Sequence, residues 1–455
     1  MAAAVRARGR GTGQPRKAAR ACSEVRSQPR RDSDRGPHVA ETRRRIDLGV
    51  EAQGLGGPRR QLPEPEHDGR WAEGRRTTSA TARIGQVAVK LLVFGGTRYF
   101  GRAAVELALS RGHEVTIFSR GNVRPPFWNQ IEHIQGDRTD ADGVVKRLAG
   151  RSFDAVIDNQ AYTREEAQSA LKALRGNVGR YVVASTVSTY GEGGHSLRRS
   201  TVDSPVADSD RFWIDYRGRE PVREADSDVY DHPWETRDNL SKYGEGKRHV
   251  ERVNLRSPTD WPYVIIRVPA TLGPDDPTGR FAWWLWRILD GKPILLPDGG
   301  KHAVQLGFSL DLATFILDCT TNRGTPRQVF NYAQPELPRW GYFLEVMAAA
   351  AGRKLNAVPV PSEFLHRHSG LPWHEWGYAP FCDLNISMSL WKAEQIVGLP
   401  GTPLAEWVKL TTEWYLTHPA ALEGTRFHEL RKSETDFAER WRKVAGQAHA
   451  SLGGA

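Results

Sequence analysis

The sequence predicts an α/β fold, a doubly wound parallel sheet with helices on both faces. Two observations carry this. Short apolar runs alternate with amphipathic stretches of helical period from residue 87 to residue 268. The first run is joined to its helix by a glycine-rich turn, Gly95-Gly96-Thr97-Arg98-Tyr99-Phe100-Gly101. Glycine there lets the backbone bend tightly and approach a pyrophosphate, and the helix that follows offers unbonded N–H groups and a positive dipole end.

Taken in order, Val87 to Phe94 reads as the first strand, broken only by Lys90. A helix follows from about Phe100 to Ser110, ended by Gly112, and Val115 to Phe118 closes a βαβ unit. Ile131 to Ile134, Phe153 to Ile157 and Arg180 to Ala184 read as further strands, with helices at Asp140 to Leu148 and Glu165 to Leu174 between them. In parallel sheets ligands sit beyond the carboxyl ends of the strands. The loops at Gly95, Ser119, Asp137, Gln160 and Ser185 all follow strand ends and are expected to line one cleft. A polar stretch of little periodicity, 192–235, reads as an insertion beside that cleft.

A helix from about Arg237 to Val253 carries Tyr243 and Lys247. Four residues is just over one helical turn, so both side chains share a face. An ammonium near a phenol favours the phenolate and makes it a proton donor or acceptor near neutral pH. Thr186, at the end of the fifth strand, can hydrogen-bond the same substrate oxygen. Gly244 and Gly246 between Tyr243 and Lys247 weaken the helix, or allow close approach of backbone or cofactor. At the end of the second strand no acid is present to meet a ribose 2′-hydroxyl. Ser119 and Arg120 stand there instead, with Arg98 in the turn, and they favour a 2′-phosphate. The reading assigns NADP as cofactor, with NAD as the alternative.

The chain of 455 residues carries a net charge of +10, but the charge is uneven. The first 88 residues hold 19 Lys/Arg against 10 Asp/Glu, whereas the remaining 367 hold 45 against 44. The basic balance therefore belongs to a leader, 1–86, rich in Arg, Gly, Pro and Ser and expected to be disordered and dispensable to the fold. The near-neutral body argues against nucleic acid as its partner. Cys22, Cys319 and Cys382 lack metal-like spacing and suit a reducing, cytoplasmic setting. No apolar run approaches a transmembrane length, and no membrane partner is expected.

These motifs together resemble an extended, atypical short-chain dehydrogenase/reductase of the NAD-dependent epimerase/dehydratase family, over roughly residues 88–420. The resemblance implies a Rossmann-like domain at 87–268 and a smaller substrate domain at 269–422. The Gly-Gly-Thr-Arg form of the turn is similar to a subgroup that includes bacterial reductase-like proteins and chloroplast stem-loop RNA-binding proteins. By the resemblance Tyr243 is the general acid/base, Lys247 holds the nicotinamide ribose and lowers the Tyr243 pKa, and Thr186 orients the substrate. Gly95 to Gly101, Ser119, Arg120, Gln160 and Ala161 would line the dinucleotide, Asp137 would meet the adenine, and Pro269 would lie beside the nicotinamide. Two positions depart from the pattern. Ala270 stands where sugar-nucleotide members carry an asparagine, and Phe308-Ser-Leu-Asp311-Leu-Ala313 keeps only the second of two aspartates. Both argue against a nucleotide-sugar substrate.

In the C-terminal part, Arg280 to Leu289 reads as a Trp-crowded helix holding Trp283, Trp284 and Trp286, and Leu404 to Leu416 as a closing helix. The tryptophans are expected to pack core and interface rather than wall a pocket. His366, His368 and His374 lack a metal-ligand pattern, so no metal is expected. The tail at 423–455 is charged and is expected to be peripheral. Two function classes follow. One is an NAD(P)-dependent oxidoreductase, epimerase or dehydratase acting on a carbinol or carbonyl carbon of a small molecule, with a homodimer as its possible assembly. The other is a catalytically silent binding protein on the same fold, regulatory or RNA-associated.

Overall fold

The computed structural model describes residues 88–190, 221, 223–226, 229, 242–373, 378–380, 387–423 and 427–452. The leader at 1–86, most of the insertion at 192–235, His374 and Cys382 lie outside the described residues. Strand β1 is Lys90–Phe94, followed by α1 Tyr99–Ser110, β2 Glu114–Ser119, β3 Glu132–Gln135 and α2 Ala141–Leu148. Next come β4 Ala155–Asp158, α3 Arg164–Leu174, β5 Tyr181–Thr186, α4 Lys242–Leu255 and β6 Tyr263–Val268. The expected strands and helices are present, with boundaries moved by one to three residues at most of their described ends.

These strands enter one sheet of seven, in the order β10-β6-β5-β4-β1-β2-β3, every pairing of which is parallel. Each central strand is buried on both faces. In β1, Leu91 and Val93 pack in a cluster with Val105 of α1, while Leu92 and Phe94 pack with Val144 of α2 and Ala170 of α3. That alternation is the period-two geometry of a strand with helices above and below it. Strand order reverses between β1 and β4, so the crevice at their carboxyl ends is the topological switch point.

The chain then leaves the sheet and comes back. After β7 Thr271–Leu272, α5 Arg280–Leu289, β8 Ile294–Pro297 and β9 Gly307–Phe308, helix α6 Ser309–Thr321 returns and packs against α1. Strand β10 Gln328–Asn331 then pairs with β6. The division read at 268/269 is therefore not a clean cut, because α6 and β10 belong to the sheet layer. The physical reason is long-range pairing: β10 hydrogen-bonds β6 and α6 packs on α1, contacts that local sequence patterns do not carry. Asp311 is buried and structural. Its carboxylate accepts from Gln334 Nε2 at 2.9 Å, Thr402 N at 2.7 Å and Thr402 Oγ1 at 2.9 Å.

The remaining elements are α7 Trp340–Ala350, β11 Ala357–Val360, α8 Ser362–His368, α9 Trp391–Ile396, α10 Leu404–Thr417, α11 Ala420–Glu423 and α12 Arg431–Leu452. They close a second core in which Trp283, Trp284, Trp340 and Trp407 are buried together. Trp284 and Trp340 meet edge to face at 5.5 Å, and Trp284 Nε1 donates to Pro380 O at 2.9 Å. His366 lies near the Trp373 ring and His368 against Phe364.

The tail is peripheral over most of its length but not at the start of its helix. Helix α12 is charged, as read, but Phe437 and Ala438 are buried in the second core. Glu434 accepts from Arg287 Nη2 at 2.6 Å, from Arg287 Nε at 3.0 Å through its other oxygen, and from Tyr378 Oη at 3.0 Å. Arg431 pairs with Asp290 at 2.7 Å. Arg431 and Glu434 are buried and paired in the interior, while Lys432, Asp436, Glu439, Arg440, Arg442 and Lys443 stay exposed. Among the described residues, no helix is long and apolar enough to cross a membrane. Glu434→Ala leaves the fully buried Arg287 without its carboxylate. The expected cost is roughly 3–5 kcal/mol of stability, read from denaturant midpoints. A loss under about 1 kcal/mol would show that α12 contributes little to the fold.

Candidate active site

The turn after β1 is built around Gly101. A Cβ added there would lie 2.0 Å from Gly95 O and 3.1 Å from Asn159 Nδ2, so only glycine lets the first turn of α1 close on the end of β1. Arg98 occupies the cap position of α1 and its exposed side chain makes no capping hydrogen bond. The first turn of α1 also carries no acid. Tyr99 takes a positive φ of 53°, and its phenol is pushed well up by burial and then by Asp276. The glycine turn thus places one buried phenol in the field of Asp276 and Arg280, at the start of α5. Across the switch point, the Gln160 side chain fills the space where a Gly95 side chain would stand. Asn159 is buried, and neither atom of its amide meets a hydrogen-bond partner among the described residues. An uncapped helix start, a glycine cradle and an orphaned buried amide fit a bound dinucleotide phosphate.

At the end of β2, Ser119 Oγ accepts from Gly121 N at 3.3 Å and lies 3.1 Å from His133 Nε2. Arg120 is exposed. Asp137 sits nearby. Its carboxyl is held down first by the backbone N–H and hydroxyl of Thr139, and also by the Arg120 charge. At the end of β4, Asp158 is fully buried and accepts from Arg138 Nη2 at 2.7 Å and Tyr181 Oη at 2.7 Å. Its other oxygen accepts from Gln160 N at 2.9 Å, which fixes the start of the Gln160-Ala161 loop.

Thr186 ends β5. Its hydroxyl accepts from Ser188 N at 3.2 Å and faces Ser188 Oγ at 3.3 Å. Lys247 is almost fully buried on α4, and its Nζ donates to Ala184 O at 2.8 Å, two residues before Thr186. Tyr243, one turn earlier, keeps 47% of its surface and its ring lies 6.2 Å from that of Tyr162. Both lie on the helix face that meets the ends of β4 and β5, as the four-residue spacing requires. Pro269, buried, follows β6, and its carbonyl accepts from Thr271 Oγ1 at 3.2 Å.

Burial pushes the Lys247 ammonium down from 10.5 to about 8, against the opposing pull of Asp158, Glu166 and Glu251. The unfolded chain holds this proton up to about 10.5. The lysine's cost to stability is therefore full below pH 8 and lessens as pH rises toward 10.5.

Sequence reasoning missed the support beneath these residues. Glu251 lies one turn beyond Lys247 and is fully buried. Arg267 of β6 grips it through Nε at 3.0 Å and Nη2 at 2.7 Å, and Ser185 Oγ donates to it at 2.5 Å. The Arg267 guanidinium also covers the Tyr190 ring at 4.7 Å and donates to Glu224 O at 3.0 Å. The available signal was the helical spacing itself: Tyr243, Lys247 and Glu251 recur every four residues and so share one face.

The model of the NAD dependent epimerase/dehydratase family matches residues 91–212 and 219–333. The chain is 24% identical over 322 residues to the chloroplast stem-loop binding protein of 41 kDa b of Arabidopsis thaliana, covering 68% of this chain and 74% of that protein. Over 123 residues it is 36% identical to the UDP-glucose 4-epimerase of Corynebacterium glutamicum, covering 23% of this chain and 37% of that one. Among solved structures, the UDP-glucose 4-epimerase of Thermotoga maritima with UDP-glucose superposes with a TM-score of 0.52 at 16% identity, covering 72% of this chain and 99% of that one. The Bordetella bronchiseptica enzyme WbmH in complex with NAD+ gives 0.51 at 17% identity, again over 72% and 99%. With its glycine turn at the switch point and the family model spanning most of the sheet, the chain belongs to the NAD-dependent epimerase/dehydratase family.

Proposed function

We propose that the protein is an NAD(P)-dependent oxidoreductase, epimerase or dehydratase acting at a carbinol or carbonyl carbon of a small molecule. The observation that carries this is Lys247, buried at the end of β5 one helical turn from the half-exposed Tyr243. A nicotinamide, when bound, accepts or supplies the hydride. The chain's own residues do the rest. Gly95 to Gly101 receive the pyrophosphate on backbone N–H groups. Tyr243 takes the proton of the substrate hydroxyl or returns it to the carbonyl oxygen, and the Lys247 charge favours its phenolate. Thr186 orients that oxygen. With Ala270 after β6 and Asp311 tied to Gln334 and Thr402, neither position offers a sugar-nucleotide contact. Arg120 and Ser119 suit a 2′-phosphate, so the cofactor is NADPH in preference to NADH.

One observation favours a second reading. The relative with 24% identity over 68% of the chain is named for binding stem-loops, so an RNA-associated role on the same fold stands as the alternative. The body's near balance of charge weighs against it.

Three outcomes are expected. Tyr243→Phe keeps cofactor affinity while turnover falls by about two orders of magnitude, the scale of a lost general acid/base. Wild-type turnover in that variant would remove Tyr243 from the chemistry. Gly101→Ala forces a methyl against Gly95 O and weakens NADPH at least about tenfold, measured by titration of the protein. Unchanged affinity would move the phosphate site elsewhere. Arg120→Ala weakens NADPH by roughly 1.5–3 kcal/mol and leaves NADH nearly unchanged. Equal wild-type dissociation constants for the two cofactors would end the NADPH assignment.

A further inference from the structure

Tyr162 belongs to none of the roles assigned so far, yet it touches most of the site. It follows the Gln160-Ala161 loop after β4. The Lys247 Nζ lies 4.4 Å from the centre of its ring, and the Tyr243 ring lies 6.2 Å away. The side chain keeps 41% of its surface, yet the protein packed around its phenol raises the pKa to about 12, with Tyr243, Asp158 and Glu166 adding to the rise, so it stays neutral near neutral pH. A neutral phenol at that pKa is a poor competitor for the acid/base role. Its ring face is nevertheless a good partner for an ammonium.

The backbone of Tyr162 is fixed from two sides. Its N–H donates to Glu166 Oε2 at 2.6 Å, and the same carboxylate accepts from Thr163 N at 2.9 Å in the capping box of α3. On the other side a Cβ at Gly246 would lie 2.2 Å from Tyr162 O. Gly246, between Tyr243 and Lys247, therefore admits the carbonyl of Tyr162 against α4. The loop and the helix are held at a distance that only glycine allows. The Lys247 ammonium is consequently bounded by one carbonyl, Ala184 O, and one aromatic face, Tyr162.

We propose that Tyr162 is a positioning residue that acts through Lys247, its ring holding the buried ammonium in place to meet the cofactor's ribose. The inference rests on the reading above that Lys247 serves a nicotinamide cofactor. Burial alone would leave a lysine free to rotate about a four-carbon stem. A carbonyl on one side and a ring face on the other leave it one orientation.

The test compares Tyr162→Leu, which removes the ring, with Tyr162→Phe, which keeps it, each alone and the former also in a Lys247→Met background. NADPH dissociation constants and melting temperatures are measured for all. Tyr162→Leu is expected to weaken NADPH on the order of fivefold at an unchanged melting temperature. Tyr162→Phe should restore affinity to within about twofold of wild type. In Lys247→Met, the further change to Leu should cost less than about twofold, because the group it acts through is gone. Wild-type affinity in Tyr162→Leu, equal losses in Leu and Phe, or an undiminished loss in the Lys247→Met background would each overturn the proposal.

A second readout needs no cofactor. In the unliganded protein, the Lys247 Cε proton resonances should show an upfield ring-current shift in wild type and Tyr162→Phe, and none in Tyr162→Leu. If wild type binds neither NADPH nor NADH, the cofactor reading fails and this signature alone decides the contact. A shift that persists in Tyr162→Leu would overturn it.

Discussion

Helix α4, which carries Tyr243 and Lys247, is held by a carboxylate with no exposed surface. Glu251 sits on α4, and in a low-dielectric interior it would destabilise the fold if left alone. Arg267 of β6 and Ser185 of β5 converge on it, so one buried pair fastens helix to two neighbouring strands. Because Lys247 and Tyr243 lie one and two turns from Glu251, fixing this carboxylate fixes them as well. The same guanidinium reaches Glu224 and Tyr190, and Tyr190 donates to Asn331 of β10 at 2.6 Å. The returning strand that completes the sheet is therefore tied to the same centre.

A second buried pair does the matching work across the sheet. Arg138 and Asp158 join the loop after β3 to the end of β4, with Tyr181, Ser169 and the Phe94 ring completing the enclosure. Asp158 also holds the backbone of Gln160, which faces the glycine turn. The cleft is thus bounded by two buried polar networks, one beneath the loop after β4 and one beneath α4. Lys247 lies between them, and its lowered pKa reflects the outcome. Desolvation outweighs three carboxylates.

The C-terminal part uses other means. Its core is built from large aromatic rings, with Trp283, Trp284, Trp340, Phe343 and Trp407 in mutual contact. The phenol of Tyr99, in the glycine turn, lies in the field of Asp276 and Arg280 at the start of α5.

How far the sequence reached depends on the range of the interaction concerned. The strand–helix alternation, the glycine turn and the four-residue spacing of Tyr243 and Lys247 are local patterns. They predicted the parallel sheet, the cleft beyond its strand ends and the shared helix face; the strand order and its switch point came from the structure. What they could not contain is pairing between distant segments. The return of α6 and β10 to the sheet joins residues more than 60 positions apart, and Glu434 meets Arg287 across 147. Arg431 and Glu434 look solvated in sequence, like the rest of α12, because charge is read one residue at a time, whereas burial depends on the partner. Tyr162 went unremarked for the same reason. Only the packed structure places its ring against Lys247, since that contact is made through space by a loop and a helix that the chain brings together late.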